Sequence, residues 1–300
     1  MRSPREVVRR PSLASRLMPT LLRLHRSKAI YASVDATRAH LDDLEQHPAD
    51  WAPPARLNRL VRVTLRTVGG WPVYRLSPRR PGARGEIVYL HGGAWIHEIT
   101  RRQWLFAARM AVTTGRPMTV PIYPLAPFGH ASQVVDGVAD LAVALARPVS
   151  LLGDSAGGTI AVSAASALRD RGTPADRLVL VSPAFDLSFT HPELARIEPS
   201  DPWLSPAGLV LAADLWRRDL AVDDPRVSPL HGDLRGLPPV TIFSGTRDIM
   251  NADAHAFRRR ATAAAVPVML HEAPGMIHDY PLLPTPEGRR ALALAAAALR

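Results

Sequence analysis

Ser155 lies in Leu151-Leu152-Gly153-Asp154-Ser155-Ala156-Gly157-Gly158, an apolar run that ends in G-x-S-x-G and passes into the helix-forming stretch Thr159 to Leu168. A serine hydroxyl is exposed for attack when a sharp strand-to-helix turn lifts it above a helix N-terminus, and only small flanking residues leave room for that turn. Five residues with two fixed glycines also describe an ordinary glycine-rich turn. The position between a strand-like and a helix-like segment favours the chemical reading, in which Ser155 is a nucleophile.

A nucleophile of this kind needs donors for the oxygen that becomes negative during acyl transfer. Ile87-Val88-Tyr89-Leu90 leads into His91-Gly92-Gly93-Ala94-Trp95, a loop whose glycines let backbone N–H groups come close. Gly92, Gly93 and Ala94 are the candidate donors, with the amide of Ala156 completing the oxyanion hole. His91 is read as a residue that fixes this loop, not as a base.

The serine also needs a general base, and the base an orienting carboxylate. For a serine on such an elbow these follow in the order carboxylate, then histidine. Val240 to Asp248 reads as a strand ending in a turn, which puts Asp248 at the carboxyl edge of a sheet. Asp253 competes, but suits the first turn of the next helix better. Two histidines follow the last strand. His271 belongs to the strand itself, whereas His278 lies in the loop beyond and is the expected base. His97, His130, His191, His231 and His255 lie elsewhere and form no metal-ligand spacing with nearby acids.

Composition narrows the alternatives. The 300 residues include no cysteine, which removes a disulfide framework, a thiolate metal site and a cysteine nucleophile. The net charge of +10 is concentrated at the start, where Arg2, Arg5, Arg9, Arg10, Arg16, Arg23, Arg26 and Lys28 oppose Glu6 alone. The rest of the chain is only mildly basic, so nucleic acid is not an expected partner. Pro19 and Arg23 interrupt the apolar run near the N-terminus, and no stretch has the length of a membrane span. A soluble, cytoplasmic chain is the expectation. Leu13, Leu17, Leu21 and Leu24 recur at helical spacing beside arginines. We read them as a helix packed over the rest of the protein; the alternative is a helix lying on an anionic membrane surface.

The elements that must position these residues follow from periodicity. Val61 to Thr67 and Trp71 to Leu76 read as a hairpin around Gly69-Gly70. Glu86 to Leu90, Met118 to Ile122, Val149 to Leu152, Arg177 to Val181, Val240 to Ser244 and Val268 to His271 read as six further strands. Helical segments at 101–114, 131–146, 156–170, 251–265 and 287–300 alternate with them, as in an α/β protein with a mostly parallel eight-stranded sheet flanked by helices. Residues 182–237 are too long for one crossover and read as an inserted lid with a helix over 205–219. The expected organisation is an N-terminal helical cap, 1–57, and a catalytic domain, 58–300, interrupted by that lid.

Taken together, His91-Gly92-Gly93, Tyr123-Pro124-Leu125-Ala126-Pro127, Gly153 to Gly158, Asp248 and His278 resemble the hormone-sensitive-lipase-like bacterial esterases, a branch of the α/β-hydrolase superfamily, over 58–300. Two departures stand out: Ala94 where that family usually has a third glycine, and Pro124 where it usually has arginine. The resemblance implies an α/β-hydrolase fold and a serine carboxylesterase acting on short- to medium-chain esters through an acyl-enzyme. It implies neither a metal nor an organic cofactor. His-Gly-Gly-x-Trp is also similar to a loop of formamidases of this fold, so an amide-type hydrolase is one alternative and a non-catalytic hydrolase-like binding protein another. Trp95, Phe185, Trp203, Trp216 and Met276 are candidate pocket walls. A small ester is the expected partner; peripheral membrane contact through the basic N-terminus and pairing of two copies both remain open.

Overall fold

Gly69 and Gly70 both have positive φ, and the two-residue turn they form closes a hairpin of β1 (Val61–Val68) and β2 (Trp71–Pro78). The computed structural model describes residues 11–82 and 84–300; Arg2, Arg5, Glu6, Arg9 and Arg10 of the basic segment lie outside the described residues. The hairpin adds antiparallel to β4 (Met118–Pro121), and from there the sheet is parallel: β3 (Glu86–Leu90), β5 (Val149–Asp154), β6 (Leu178–Val181), β7 (Val240–Gly245) and β8 (Val268–Ala273). The order is β1-β2-β4-β3-β5-β6-β7-β8, the mostly parallel eight-stranded sheet expected from the sequence.

β3, β5 and β6 are buried along their whole length, as parallel strands covered on both faces must be. Alternate residues feed two core layers. Val88, Leu90 and Leu151 face one layer, which α4 (Ala131–Ala144), α5 (Ala156–Asp170), α7 (Pro206–Arg217) and α8 (Asn251–Ala263) cover. Ile87, Tyr89 and Leu152 face the other, beneath α3 (Arg101–Thr114) and α9 (Pro286–Ala298). Thr100 and Gln103 form a reciprocal capping box that starts α3 immediately after the glycine loop.

Two segments lie outside this alternation. At the N-terminus, α1 (Leu13–Leu24) and α2 (Val34–Gln46) precede the hairpin. Between β6 and β7, residues 182–237 hold the short α6 (Leu194–Ile197) and then α7, the helix expected at 205–219. The two segments meet where α2 packs on α7. Gly208 makes that approach feasible, since a Cβ there would lie 2.3 Å from Thr37 Oγ1 and 2.5 Å from Tyr31 Cα.

α1 does pack over the rest of the protein, but with the face opposite to the one its leucines mark. Ser15 and Pro19 are buried and Met18 and Leu22 join the core, whereas Leu13, Leu17, Leu21 and Leu24 are exposed. The helix is held by Glu287, whose carboxylate accepts from Ser12 N (2.6 Å), Ser12 Oγ (2.8 Å) and Ser15 Oγ (2.6 Å). No helix among the described residues is long and apolar enough to cross a membrane.

Candidate active site

Ser155 links β5 to α5 with φ 51° and ψ −120°, a strained backbone for any residue other than glycine. The turn is held by its surroundings. Ser155 N donates to Val181 O (2.8 Å), and a Cβ at Gly157 would lie 2.0 Å from Leu90 O. Strand β3 can run this close to the elbow only because position 157 has no side chain.

The structure brings together the three residues singled out from the sequence. His278 Nε2 lies 3.0 Å from Ser155 Oγ, and His278 Nδ1 lies 3.0 and 3.1 Å from the two oxygens of Asp248. All three are buried. Asp248 follows β7, and its Oδ1 also accepts from Met250 N (3.0 Å), which fixes the carboxylate toward the ring. The Trp203 and His278 rings pack at right angles, with centroids 5.8 Å apart. The competing residues lie elsewhere. His271 stacks on Phe243 at 4.8 Å, and Asp253 is buried in the first turn of α8. Burial, and then the charge of Asp186, raise the Asp253 carboxyl to about 7.

Two further carboxyl groups that sequence reasoning missed complete the electrostatics. Asp279 Oδ2 lies 3.5 Å from His278 Nε2, and Asp279 N donates to Ser182 Oγ (3.0 Å). Asp201 accepts from Trp203 N (2.8 Å) and Leu204 N (3.0 Å) through Oδ1, and from Ile249 N (3.0 Å) through Oδ2. Burial works to lower the His278 pKa, but Asp248, Asp279 and Asp201 outweigh it and hold the imidazole above its usual range. Burial, followed by the neighbouring Asp248 charge, raises Asp201 to about 6. Burial also raises Asp279 well above ordinary carboxyl groups, although the positive ring of His278 opposes it.

The glycine loop is fastened to the elbow from beneath. Asp154 is buried and accepts from Tyr89 Oη (2.5 Å), Gln103 Nε2 (2.8 Å) and the backbone amide of Gly92. Gly92 therefore spends its N–H on Asp154. Of the expected oxyanion donors, Gly92 is thus the one directed at Asp154. Gly93, Ala94 and Trp95 have φ of 135°, 51° and 61°, a run of left-handed backbone that turns the loop over Ser155. His91 stacks on Tyr123 at 4.6 Å, and its Nδ1 donates to Gly92 O (2.8 Å). Burial lowers its pKa to about 4, so it stays neutral. His97 acts from the other side. Its Nδ1 lies 3.0 Å from Gly93 O and its Nε2 lies 2.8 Å from His40 Nε2, which connects α2 to the loop.

A cavity of about 240 Å³ opens on Ser155 and His278. Its apolar wall is Ile30 and Tyr31 from before α2, Trp203, Leu204 and Leu209 from the 182–237 segment, and Leu282 and Leu283 after His278. Glu98, Arg102, Gln103 and Asp279 form a polar side. Burial raises Glu98 to about 7. Of the expected pocket walls, Trp95 and Trp203 line the cavity; Phe185, Trp216 and Met276 do not. Phe185 stacks on Phe257 at 4.1 Å, Trp216 stacks behind Trp95 at 6.1 Å, and Met276 is buried in the core layer under α9. All three are buried in the interior, and sequence cannot tell a buried aromatic or methionine from a pocket wall. Among the described residues no cluster of three or more His, Asp or Glu side chains is arranged to hold a metal ion.

Comparison with known proteins agrees with this geometry. A family model described as the alpha/beta hydrolase fold matches residues 87–282. The chain is 36% identical to an acetyl-hydrolase of Streptomyces hygroscopicus over 78% of this chain and 81% of that one. It is 35% identical to a triacylglycerol lipase of Mycobacterium tuberculosis over 80% of this chain and 53% of that one, so it spans about half of that relative's length. Among solved structures it superposes on an esterase from the bacterial hormone-sensitive lipase family with a TM-score of 0.80 at 27% identity, covering 97% of this chain and 99% of that chain. The chain belongs to the α/β-hydrolase fold family, within its hormone-sensitive-lipase-like esterases.

Proposed function

We propose that the chain is a serine carboxylesterase that hydrolyses short- to medium-chain carboxylic esters through an acyl-enzyme on Ser155. The observation that carries this reading is the hydrogen-bonded line Ser155 Oγ, His278 Nε2, His278 Nδ1, Asp248, with spacings of 3.0 and 3.0 Å. In the first half of the cycle, Oγ attacks the ester carbonyl while Nε2 takes its proton. Asp248 holds the Nδ1–H tautomer and stabilises the imidazolium that forms. The amides of Gly93, Ala94 and Ala156 receive the oxyanion. Collapse expels the alcohol, which Nε2 protonates. Water then attacks the acyl-enzyme and gives its proton to Nε2, and collapse releases the acid as Nε2 returns that proton to Ser155 Oγ.

The substrate range follows from the cavity. At about 240 Å³ it is smaller than the roughly 300–1,000 Å³ typical of drug-sized sites, which suits a small acyl group. We assign the described part of the N-terminal segment, residues 11–57, and the 182–237 insert together as a cap on the catalytic domain, because Ile30 and Tyr31 from one and Trp203, Leu204 and Leu209 from the other enclose the acyl side. Ala94 adds a methyl group beside the oxyanion loop and narrows the site further.

The test is a series of p-nitrophenyl esters from acetate to decanoate, with matching formamides, on the wild type and Ser155→Ala. Turnover is expected to be greatest for the acetyl to hexanoyl esters and to fall at least about 10³-fold in the variant. Faster cleavage of the formamides would make the chain an amide hydrolase. Ester binding without turnover by the wild type would make it a binding protein.

A further inference from the structure

The leucines of α1 form the one ordered apolar row that the described structure leaves uncovered on a helix. Leu13, Leu17, Leu21 and Leu24 are exposed to 75, 60, 46 and 74%. Their spacing of four, four and three residues puts them on a single face, opposite the face that Ser15, Met18, Pro19 and Leu22 turn inward. Other large exposed apolar residues, such as Phe128, Leu65 and Met269, are scattered over different elements. Scattered residues of that kind are normal on a soluble surface, whereas a contiguous row marks a contact.

The charge around the row says what the contact is. Arg16 and Arg23 border the leucines, Arg26 follows, and all three are exposed. No acidic residue occurs between Pro11 and Val34, and the ten residues before Pro11 add four arginines against one glutamate. Leucines between arginines, with no acid among them, match the boundary of an anionic bilayer, where phosphates meet acyl chains. A second copy of the chain is a poor occupant, since it would set arginine against arginine.

The place of α1 relates this face to the cavity. Pro11, just before the helix, lies against Gly275, and Met18 and Leu22 share a core layer with Met276, Ile277, Tyr280 and Leu283, the loop that carries His278. At its other end the chain runs from α1 directly to Ile30 and Tyr31, which line the cavity. We propose that α1 docks the protein on anionic membrane surfaces through the Leu13–Leu17–Leu21–Leu24 face, with Arg16, Arg23 and Arg26 at the headgroups, so that the cavity takes esters that partition into the bilayer. The second half of this statement rests on the ester-hydrolase reading; the docking does not.

The experiment is co-sedimentation of the full-length Ser155→Ala chain with vesicles of phosphatidylglycerol mixed with phosphatidylcholine, and with vesicles of phosphatidylcholine alone. Using the inactive variant keeps binding separate from hydrolysis. Binding is expected on the anionic vesicles, weaker at high salt and at least about tenfold weaker on phosphatidylcholine alone. Leu17→Ser/Leu21→Ser, at positions that touch no core, is expected to reduce binding at least about tenfold. The same double substitution with Ser155 intact is expected to leave p-nitrophenyl butyrate hydrolysis within about twofold of wild type. Absence of binding, or equal binding by the leucine variant, overturns the proposal. So does light scattering that shows a dimer converted to a monomer by the leucine substitutions, because the face would then belong to a second copy.

Discussion

The ring nitrogen of His278 that stands 3.0 Å from Ser155 Oγ also stands 3.5 Å from Oδ2 of the adjacent residue, Asp279. One imidazole thus has a carboxyl group at each end, Asp248 on Nδ1 and Asp279 on Nε2. Asp248 helps the base, since it stabilises the cation without occupying the nitrogen that takes the proton. Asp279 also stabilises the cation, but from the side of the nucleophile. Asp201 adds to the same field, while Arg102 offsets part of it at Asp279.

The consequence is a pH dependence with a definite sign. His278 must be neutral to accept the Ser155 proton, so kcat/KM rises as pH passes upward through its pKa. Whatever charge Asp279 carries beside the ring favours the imidazolium, so Asp279→Asn lowers the His278 pKa and moves the rising limb to lower pH. A pH profile of kcat/KM for p-nitrophenyl butyrate measures the limb directly. An unchanged or upward-shifted limb would show that Asp279 does not act on the base.

Asp201 joins two parts of the chain that sequence keeps 48 residues apart, because it accepts from Trp203 and Leu204 in the insert and from Ile249 beside Asp248. Asp201→Ala leaves three N–H groups without an acceptor, two of them buried and that of Trp203 part-buried. At about 1–3 kcal/mol for each unsatisfied group, partly relieved by relaxation, the loss of stability should be roughly 3 kcal/mol. Urea denaturation measures it, and a change below about 1 kcal/mol would mean that water replaces the carboxylate. Because Trp203 packs on His278, kcat should fall as well.

The strained turn at Ser155 is legible because it is built from neighbours in sequence, and the approach of Asp248 and His278 to it because each follows a strand whose apolar pattern is plain. Asp201, Asp279 and Gly92 are not. What they do depends on partners brought in by the fold, such as the carboxylate of Asp154 that takes the Gly92 amide. Aromatic residues fared by chance of place. Trp203 and Trp216 belong to one insert and look alike in sequence, yet one lines the cavity and the other is sealed behind Trp95. The leucine row of α1 misled for a deeper reason. Hydrophobic periodicity reports which residues share a face, but not whether protein or another apolar phase covers it.

Gly208 tests whether the contact between the two cap segments sets the cavity. A methyl group at this position would lie 2.3 Å from Thr37 Oγ1, 2.5 Å from Tyr31 Cα and 2.7 Å from Tyr31 O, all closer than real Cβ contacts come. Two of these neighbours are backbone atoms that no rotamer change can move aside, so Gly208→Ala must shift α7 away from Tyr31. Overpacking of this kind costs about 1–3 kcal/mol. Tyr31 and Leu209 both line the cavity, so the displacement widens its acyl side without touching Ser155, His278 or Asp248. KM for p-nitrophenyl acetate should rise several-fold while kcat changes little, and longer esters should be affected less. If KM rises equally for every chain length, the acyl group does not lie between Tyr31 and α7, and the assignment of that wall must be withdrawn.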